Sequence, residues 1–214
     1  MTEPDPHHPA DDAPRLDPQD LLRALTQGYF PMAEDAGSPE IGWYRPDPRA
    51  VMPLGEDEFR VRRSLAKCIR REAYDVRFDI DFAAVMDGCA EPRKSKDGGE
   101  EGTWINPTIR GAYAALAAMG LGHSVEVFAD GQRVGGLYGV ALGGAFLAES
   151  MFSRRPYASQ VCLVALVERL RARGFTLMDV QFVNPHLEQF GVQEISAESY
   201  NDRLQRALSR GPCW

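Results

Sequence analysis

The feature that most constrains the fold is an apolar segment with helical spacing, residues 157–172, which lies between two β-like runs at 145–149 and 175–182. Apolar side chains that recur at helical spacing predict a helix with a buried face. A helix that joins two strands predicts a layered fold in which the helix packs on the sheet. Polar residues lie on or just after each strand, Glu-Ser-Met-Phe-Ser at 149–153 and Asp-Val-Gln at 179–181. We therefore expect these polar residues to meet at one edge of the sheet, beside apolar side chains.

The rest of the chain predicts mostly antiparallel strands flanked by helices, an α+β fold. Asp17-Pro18 and Asn106-Pro107 each place a capping side chain before a proline, which is typical of a helix start. Asp130-Gly131 predicts a hairpin turn between two strands. Further helices are expected at 63–72, 81–89, 185–190 and after 197, and further strands at 74–79, 123–128, 133–140 and 192–195. Residues 91–102 are polar and contain glycine, so we expect a mobile loop there.

Composition and charge distinguish an acidic N-terminal leader from the rest of the chain. Residues 1–20 contain six acids and one arginine, and such a stretch cannot bury enough apolar area to fold, so we expect a disordered acidic leader over 1–16. A small N-terminal α/β domain is expected over 17–58 and the main domain over 59–214. The hydrophobic content of 44% and the charged content of 26% are those of a soluble globular protein.

The net charge of −7 argues, taken alone, against a nucleic-acid partner. Its distribution argues otherwise, because one short stretch is strongly basic. The basic stretch consists of Arg60, Arg62, Arg63, Lys67, Arg70 and Arg71. Positive charge without base-reading motifs fits contact with a nucleic-acid backbone, and a solvated helix face is the alternative interpretation.

The four cysteines show no Cys-x-x-Cys spacing, and no paired histidines accompany them, so we expect no metal site. Cys89 and Cys162 lie in apolar helical segments and are expected to be buried free thiols. The N-terminus lacks a basic region followed by an apolar run, and no window approaches the length of a membrane-spanning helix. We therefore expect a cytoplasmic protein without a membrane contact.

Glu149 comes directly after the apolar run 145–148 and before Met151-Phe152. A carboxylate in such a segment must be paired or hydrogen-bonded, because burying it alone is expensive. Two interpretations follow: an ion pair with Arg154 or Arg155, or an anionic subsite for a cationic substrate.

Asp179 and Gln181 are two residues apart on a predicted strand, so both side chains should project from the same face. Asp179 could then accept a hydrogen bond from the Gln181 amide and leave the amide oxygen facing the site, or the two could form a structural pair at the sheet edge. Ser150 and Ser153 are candidate oxyanion donors, and helix capping is the favoured role for them. This set of groups suits acyl transfer to an amine without a metal, a thiol nucleophile or a phosphate loop.

Four motifs carry a resemblance to a known family, and they occur in the family's order between residues 19 and 205. They are Gly-Tyr-Phe-Pro at 28–31, Trp-Tyr-Arg-Pro-Asp-Pro-Arg at 43–49, Glu-Glu-Gly-Thr-Trp-Ile at 100–105, and Glu-Ser-Met-Phe-Ser at 149–153. The chain resembles the leucyl/phenylalanyl-tRNA–protein transferases. The resemblance implies an acetyltransferase-like (GNAT-like) fold, a mixed, mostly antiparallel sheet flanked by helices.

The resemblance also implies the reaction. An aminoacyl-tRNA would donate Leu or Phe, with Met a further candidate, to the N-terminal α-amino group of proteins that begin with Arg or Lys. The new peptide bond would create a destabilising N-terminus for degradation. No cofactor is implied beyond the aminoacyl-tRNA donor, and a monomer is expected.

The resemblance assigns site residues by position. Glu149, Asp179 and Gln181 match the catalytic positions, with Glu149 at the N-terminus of the acceptor and the Gln181 oxygen as a proposed proton acceptor. Since roughly a tenth of α-amino groups are already unprotonated at pH 7, and an amide is a poor base, we expect Gln181 mainly to orient the amine. Whether Gln181 is a base or a positioning group stays open at this point.

The matching apolar pocket would hold the Leu or Phe side chain, although these residues alone would be interpreted as core. Its members are Leu137, Phe146, Met151, Leu163, Leu166 and Met178. Trp104 matches a tryptophan that packs against the terminal adenosine of tRNA, and a loop anchor is the alternative. Met32 stands where many family members have the tryptophan that stacks on the adenine, so apolar contact replaces stacking here. The basic stretch is the candidate surface for the tRNA backbone.

Two other functions compete with this hypothesis. Small-molecule N-acetyltransferases of this fold hold a pyrophosphate with a Gly-rich turn before the long helix, whereas residues 153–159 contain a proline and no glycine. A non-catalytic RNA-binding module is the other alternative. Glu149 and Asp179 disfavour it, because their carboxylates would repel RNA phosphates.

Overall fold

The computed structural model describes residues 16–71, 73–94, 100–211 and 214. The predicted leader, apart from Leu16, lies outside the described residues, as do residues 95–99 of the predicted mobile loop. The helices are α1 (Pro18–Thr26), α2 (Arg63–Arg70), α3 (Phe82–Ala90), α4 (Pro107–Ala118), α5 (Ala158–Ala172), α6 (Pro185–Glu188) and α7 (Ala197–Leu208). The strands are β1 (Phe30–Ala33), β2 (Ile41–Tyr44), β3 (Arg49–Met52), β4 (Asp75–Phe78), β5 (Arg93–Lys94), β6 (Glu100–Glu101), β7 (Gly122–Ala129), β8 (Gln132–Leu142), β9 (Ala145–Ser153), β10 (Leu177–Gln181) and β11 (Gln193–Ile195).

Seven strands form one mixed sheet in the order β11-β3-β10-β9-β8-β7-β4. The strands β9 and β10 are parallel, and α5 is the crossover that joins them, while the other pairs of this sheet are antiparallel. The predicted class, a mostly antiparallel mixed sheet flanked by helices, is confirmed. The strand β3, which the sequence assigned to the small N-terminal domain, pairs within this sheet between β10 and β11.

Local sequence signals account for the element boundaries. The Asp17 carboxylate accepts a hydrogen bond from the backbone N–H of Gln19 at 2.7 Å, so it caps α1 as predicted. The Asn106 side chain accepts one from the Ile109 amide at 2.8 Å and caps α4. At the β7–β8 hairpin Asp130 has a φ of 52° and the glycine after it a φ of 73°, which are the angles that a two-residue turn of this hand requires.

Each face of the sheet carries its own hydrophobic core. One core lies under α5 and α2, and the other lies under α1, α3, α4 and α7. Successive strand residues alternate between them, as in β8, where Leu137 faces the α5 side and Tyr138 the other. Cys162 is buried in the first core and Cys89 in the second, both as reduced thiols, so this prediction is confirmed.

The α5 helix is enclosed, with apolar residues around most of its surface, and it holds the two parallel strands side by side at their start. The part of the chain that the structure describes contains no helix long and apolar enough to cross a membrane. The position of the candidate site follows from the way β9 and β10 separate beyond this common start.

Candidate active site

A cavity opens where β10 leaves β9. The two strands pair only from Ala145 to Leu147 on β9 and from Leu177 to Asp179 on β10. Beyond that point the cavity, about 190 Å³ in volume, is lined by Trp104, Leu137, Ala148, Glu149, Ser150, Met151, Val180, Gln181, Asn184 and Leu187. Residues of both polar motifs line it, so their predicted convergence at one sheet edge is confirmed.

The Glu149 carboxyl is buried in this cavity. Its Oε1 atom has no hydrogen-bond partner among the described residues. The predicted alternative of an ion pair with Arg154 or Arg155 is wrong, because Arg154 pairs with Glu91 and Arg155 pairs with Asp130. Both arginines are engaged by other acids and leave the Glu149 carboxyl to the cavity.

Burial raises the pKa of Glu149 to about 8. The Tyr113 hydroxyl lies beside the carboxyl and favours its ionised form, although no hydrogen bond of ordinary geometry joins the two groups. The negative charge of Asp179 raises the pKa further, and the positive charge of Arg49 lowers it. Glu149 is therefore a carboxyl that gains by meeting a cation, because a cation in the cavity stabilises its charged form.

Asp179 is fully buried, and its carboxylate is saturated with donors. Arg49 donates from Nε to Oδ1 at 2.9 Å and from Nη2 to Oδ2 at 2.6 Å. The Tyr200 hydroxyl donates to Oδ2 at 2.8 Å, and the backbone N–H of Gln181 donates to Oδ1 at 3.0 Å. The predicted bond from the Gln181 side-chain amide to Asp179 is therefore wrong, since the backbone of Gln181 makes that contact instead.

The backbone at Gln181 leaves the regular strand. Gln181 has a φ of 59°, and the Phe182 N–H donates to the Val180 carbonyl at 2.7 Å, which closes a γ-turn around it. The pairing of β10 with β3 shifts register between Asp179 and Gln181. Because of this irregularity the predicted strict alternation fails: the Asp179 carboxylate reaches Arg49 and Tyr200, whereas Gln181 lines the cavity. The Gln181 Nε2 atom is buried without a partner in the described part of the protein.

The structure separates the predicted acyl-pocket residues into two groups. Leu137 and Met151 line the cavity. Phe146, Leu163, Leu166 and Met178 are fully buried in the core under α5 and do not line this cavity. The ring of Phe146 stacks on Trp214 at 5.4 Å. An acyl side chain that enters this cavity would first meet Leu137, Met151, Val180 and Leu187.

The two residues assigned to the tRNA end lie close together. Trp104 lines the cavity, and its carbonyl accepts a hydrogen bond from the Ala33 N–H at 3.2 Å. Met32 precedes Ala33 on β1, and both Met32 and Trp104 pack partly buried against the same core. Trp104 thus lines the cavity beside the β1–β2 hairpin, a position that fits both contact with the tRNA end and a loop anchor.

The basic stretch is exposed. Arg60 and Arg62 precede α2, and Arg71 ends it, with the other three residues on the helix. Within the described ranges, none of these six side chains forms an ion pair. Leu65 anchors α2 in the core under α5. The positive charges therefore face solvent, and no described residue neutralises them.

The hydroxyl of Ser153 has the capping role that the sequence favoured. It accepts a hydrogen bond from the Ser159 N–H in the first turn of α5 at 3.3 Å and donates to the Arg155 carbonyl at 2.8 Å. Ser150 lines the cavity.

Sequence reasoning missed Arg49, Tyr113 and Tyr200. Arg49 is 2% exposed and begins the apolar strand β3. A charged residue at that position in an apolar segment requires a partner, and this was the signal available in the sequence. Tyr113 and Tyr200 lie on amphipathic helices, where an aromatic residue is most simply explained as core, so nothing local distinguished them.

Comparison with known proteins identifies the class of this protein as the aminoacyltransferases. The profile of the leucyl/phenylalanyl-tRNA protein transferase matches residues 51–205, and the profile of its N-terminal domain matches residues 14–47. The chain belongs to this family. Its activity is transfer of an aminoacyl group from tRNA to a protein.

Comparison with solved structures gives distant matches. A ribosomal-protein-alanine N-acetyltransferase from Brucella melitensis biovar Abortus 2308 is 14% identical, with a TM-score of 0.38, over 55% of this chain and 85% of that chain. L-PGS from Bacillus licheniformis is 12% identical, with a TM-score of 0.43, over 87% of this chain and 61% of that one. The C-terminal domain of a putative lysylphosphatidylglycerol synthetase from Agrobacterium fabrum is 11% identical, with a TM-score of 0.41, over 89% of this chain and 62% of that chain.

Proposed function

We propose that the protein transfers Leu or Phe, with Met a further candidate, from aminoacyl-tRNA to the α-amino group of proteins that begin with Arg or Lys. The observation that carries this proposal is the pairing of two unpartnered polar atoms, Glu149 Oε1 and Gln181 Nε2, in one cavity. A carboxyl and an amide that are buried without partners are costly. A cationic amine compensates the carboxyl, and an acceptor such as a carbonyl oxygen of the bound substrates compensates the N–H donor of the amide.

The chemical step is aminolysis of an ester. The acceptor amine attacks the carbonyl carbon of the aminoacyl ester, a C–N bond forms, and the C–O bond to the tRNA ribose breaks. The amine loses a proton and the departing ribose oxygen gains one. The proposed step uses no cofactor, because the ester is already an activated acyl donor. Holding amine and ester together supplies much of the rate in such reactions.

Glu149 and Gln181 would divide the recognition of the acceptor. The Glu149 carboxyl attracts the positive N-terminal residue, and its pKa of about 8 means that a bound cation draws it into the ionised form. The Gln181 amide would orient the attacking nitrogen. The Asp179 carboxylate already accepts four hydrogen bonds and is not free to bind the amine. Its proposed role is to fix Arg49, Tyr200 and the backbone of Gln181.

The donor would enter from the side of Trp104. Leu137, Met151, Val180 and Leu187 give the cavity an apolar wall that suits a Leu or Phe side chain. Two apolar residues that share one pocket are poorly discriminated, since a methylene difference is worth only about 1–3 kcal/mol. The basic stretch would contact the tRNA backbone.

The product would be a protein with a new bulky apolar N-terminus, and its proposed fate is degradation. We expect the enzyme to act as a monomer in the cytoplasm.

The test is a product analysis. The protein is incubated with leucyl-tRNA and a peptide that begins with Arg, and the peptide mass is followed by mass spectrometry. A gain of one leucyl residue at the α-nitrogen is expected. The same peptide with an acetylated N-terminus is the matched control and should gain nothing. Leucine on the acetylated peptide, or none on either peptide with leucyl-, phenylalanyl- or methionyl-tRNA, would overturn the proposal.

A further inference from the structure

Arg49 is an almost fully buried charged residue that is paired with Asp179. Its guanidinium carbon lies 4.8 Å from the centre of the Phe30 ring and 4.6 Å from the centre of the Tyr200 ring. Its Nη1 donates a hydrogen bond to the Gly28 carbonyl at 3.0 Å, and its Nε and Nη2 donate to the Asp179 carboxylate. Burial alone lowers the pKa of Arg49, but the hydrogen bonds and charge of Asp179 outweigh burial and raise it.

This arginine joins segments that are far apart in the sequence. Gly28 follows α1, Arg49 begins β3, Asp179 lies on β10, and Tyr200 lies on α7. The Asp179 carboxylate receives hydrogen bonds from both Arg49 and Tyr200. Because two well-packed partners fix its two oxygens, the carboxylate has no freedom to rotate.

One oxygen of that carboxylate also holds the backbone of the candidate catalytic amide. Asp179 Oδ1 accepts the Gln181 N–H at 3.0 Å. Gln181 lies at the apex of a γ-turn with a φ of 59°, a conformation that is strained for any residue other than glycine. Such a conformation persists only where the surroundings over-determine it. The bond to Asp179 is the side-chain contact that holds this backbone, beside the pairing with Ala50 on β3.

We propose that Arg49 and Tyr200 are positioning residues for the transfer reaction, which act by fixing Asp179 so that the strained turn presents the Gln181 amide to the cavity. The inference rests on the proposed function. Neither residue lines the cavity, so neither touches the reacting atoms. Their effect on turnover passes through Gln181.

A purely structural role makes different predictions. If Arg49 and Tyr200 only stabilised the fold, their replacement would lower the stability of the protein and leave kcat of the folded fraction unchanged. If they position Gln181, kcat falls, and this fall disappears once the Gln181 side chain has been removed.

The decisive measurement is a double-mutant cycle on kcat with Arg49→Lys, Tyr200→Phe and Gln181→Ala. Lysine keeps the charge of Arg49 but cannot make two parallel bonds to Asp179, and Tyr200→Phe keeps the ring and removes one hydrogen bond. We expect each single variant to lower kcat by roughly 5- to 30-fold at a KM for donor changed less than about threefold, which is a loss of about 1–2 kcal/mol. In the Gln181→Ala background the same replacements should lower kcat by less than about twofold.

Arg133→Lys is the matched control. Arg133 forms the other largely buried arginine–carboxylate pair among the described residues, with Glu126 at 2.7 Å, and it does not line the cavity. This variant should lose stability without losing kcat. Full kcat in both Arg49→Lys and Tyr200→Phe, or losses that add fully to those of Gln181→Ala, would overturn the positioning role. If Arg49→Lys fails to fold, the double-mutant cycle between Tyr200→Phe and Gln181→Ala still tests the positioning role.

A second arm needs no activity and so separates this inference from the proposed function. Glycine tolerates a positive φ, so Gln181→Gly should unfold with an equilibrium constant about 5- to 30-fold smaller than Gln181→Ala. In the Tyr200→Phe background Asp179 loses one of its hydrogen-bond donors. The stability difference between the glycine and alanine variants at position 181 should then shrink severalfold. An undiminished difference would show that Tyr200 does not hold the turn, even if the transferase activity itself were absent.

Discussion

At the scale of single residues, the site is defined by groups that lack partners. Most buried polar atoms in proteins are hydrogen-bonded, yet Glu149 Oε1 and Gln181 Nε2 have no partner among the described residues. Asp179, a neighbour of both in the fold, has donors on both oxygens. From this contrast we propose that the Asp179 carboxylate has a structural role and that Glu149 and Gln181 bind the substrate.

The raised pKa of Glu149 has a consequence for stability. Its pKa of about 8 in the folded protein exceeds the ordinary value of 4.5, so the folded state binds more protons than the unfolded state between those two pH values. The free energy of unfolding should therefore fall as pH rises through this window and level off above it. Glu149→Gln removes the ionisation and this decline.

We expect Glu149→Gln to match the native protein in stability near pH 5 and to exceed it near pH 9 by on the order of 2–4 kcal/mol. Denaturant unfolding at the two pH values measures the difference, and Glu168→Gln, an exposed glutamate on α5, is the control that should show no such crossover. If the free energy of unfolding of the native protein falls no more between pH 5 and pH 9 than that of Glu149→Gln, the raised pKa of a buried, unpartnered Glu149 carboxyl is contradicted.

The residue scale is also where sequence reasoning was least complete. The motifs placed Glu149 and Gln181 at one sheet edge, and the cavity contains both. The predicted hydrogen bond from the Gln181 side chain to Asp179 was wrong because regular strand alternation was assumed. The γ-turn at Gln181 breaks this alternation, and no glycine or proline in the sequence indicates the turn. Arg49 lies 130 residues from Asp179 in the chain, and single-sequence patterns do not pair residues across such distances.

At the scale of elements, the separation of β9 and β10 creates the site. Parallel strands joined by α5 start side by side, and β10 then ends in an irregular turn, so the cavity opens between them. The sequence predicted a helix between these two strands that packs on the sheet, since the period of the hydrophobic residues indicates it, but it did not predict that the strands are parallel. The position of β3 within the same sheet was not predictable, because a four-residue strand bears no mark of its pairing partner.

The α2 helix is the element that we propose contacts the tRNA donor. Its basic residues are exposed and unpaired within the described part of the chain, so they are available to phosphates. Replacing Arg63, Lys67 and Arg70 together by Ala should weaken tRNA binding and flatten its salt dependence by about 0.7–0.9 in log–log slope for each phosphate that the variant no longer neutralises. Binding measured across a salt series tests this expectation.

The control for that variant is Arg203→Ala with Arg206→Ala, two exposed arginines on α7, which should leave the salt slope unchanged. Turnover of a short aminoacyl-adenosine donor, which lacks the tRNA stem, should be unaffected by the α2 replacements. An equal reduction with the short and the full donor would place the defect in the fold and contradict binding of the tRNA backbone by α2.

At the scale of the whole molecule, charge is distributed unevenly. The net charge is −7, yet the basic stretch lies on and around one helix, while Glu149, whose pKa is about 8, lies in the cavity. We propose that the basic stretch binds a polyanionic donor and that Glu149 ionises when a cationic acceptor binds. In this proposal the apolar wall of the cavity receives the aminoacyl group.

The most direct test of a cation-reading cavity is a comparison of four acceptor peptides, identical except for an N-terminal Arg, Lys, Ala or Asp, with leucyl-tRNA as the donor. Values of kcat/KM are measured for the native protein and for Glu149→Gln. We predict that the native protein prefers Arg and Lys over Ala and Asp by at least about 100-fold, or about 2.7 kcal/mol, and that Glu149→Gln loses much of this preference through KM for the acceptor. Equal rates for all four peptides with the native protein, or an undiminished preference in Glu149→Gln, would contradict it.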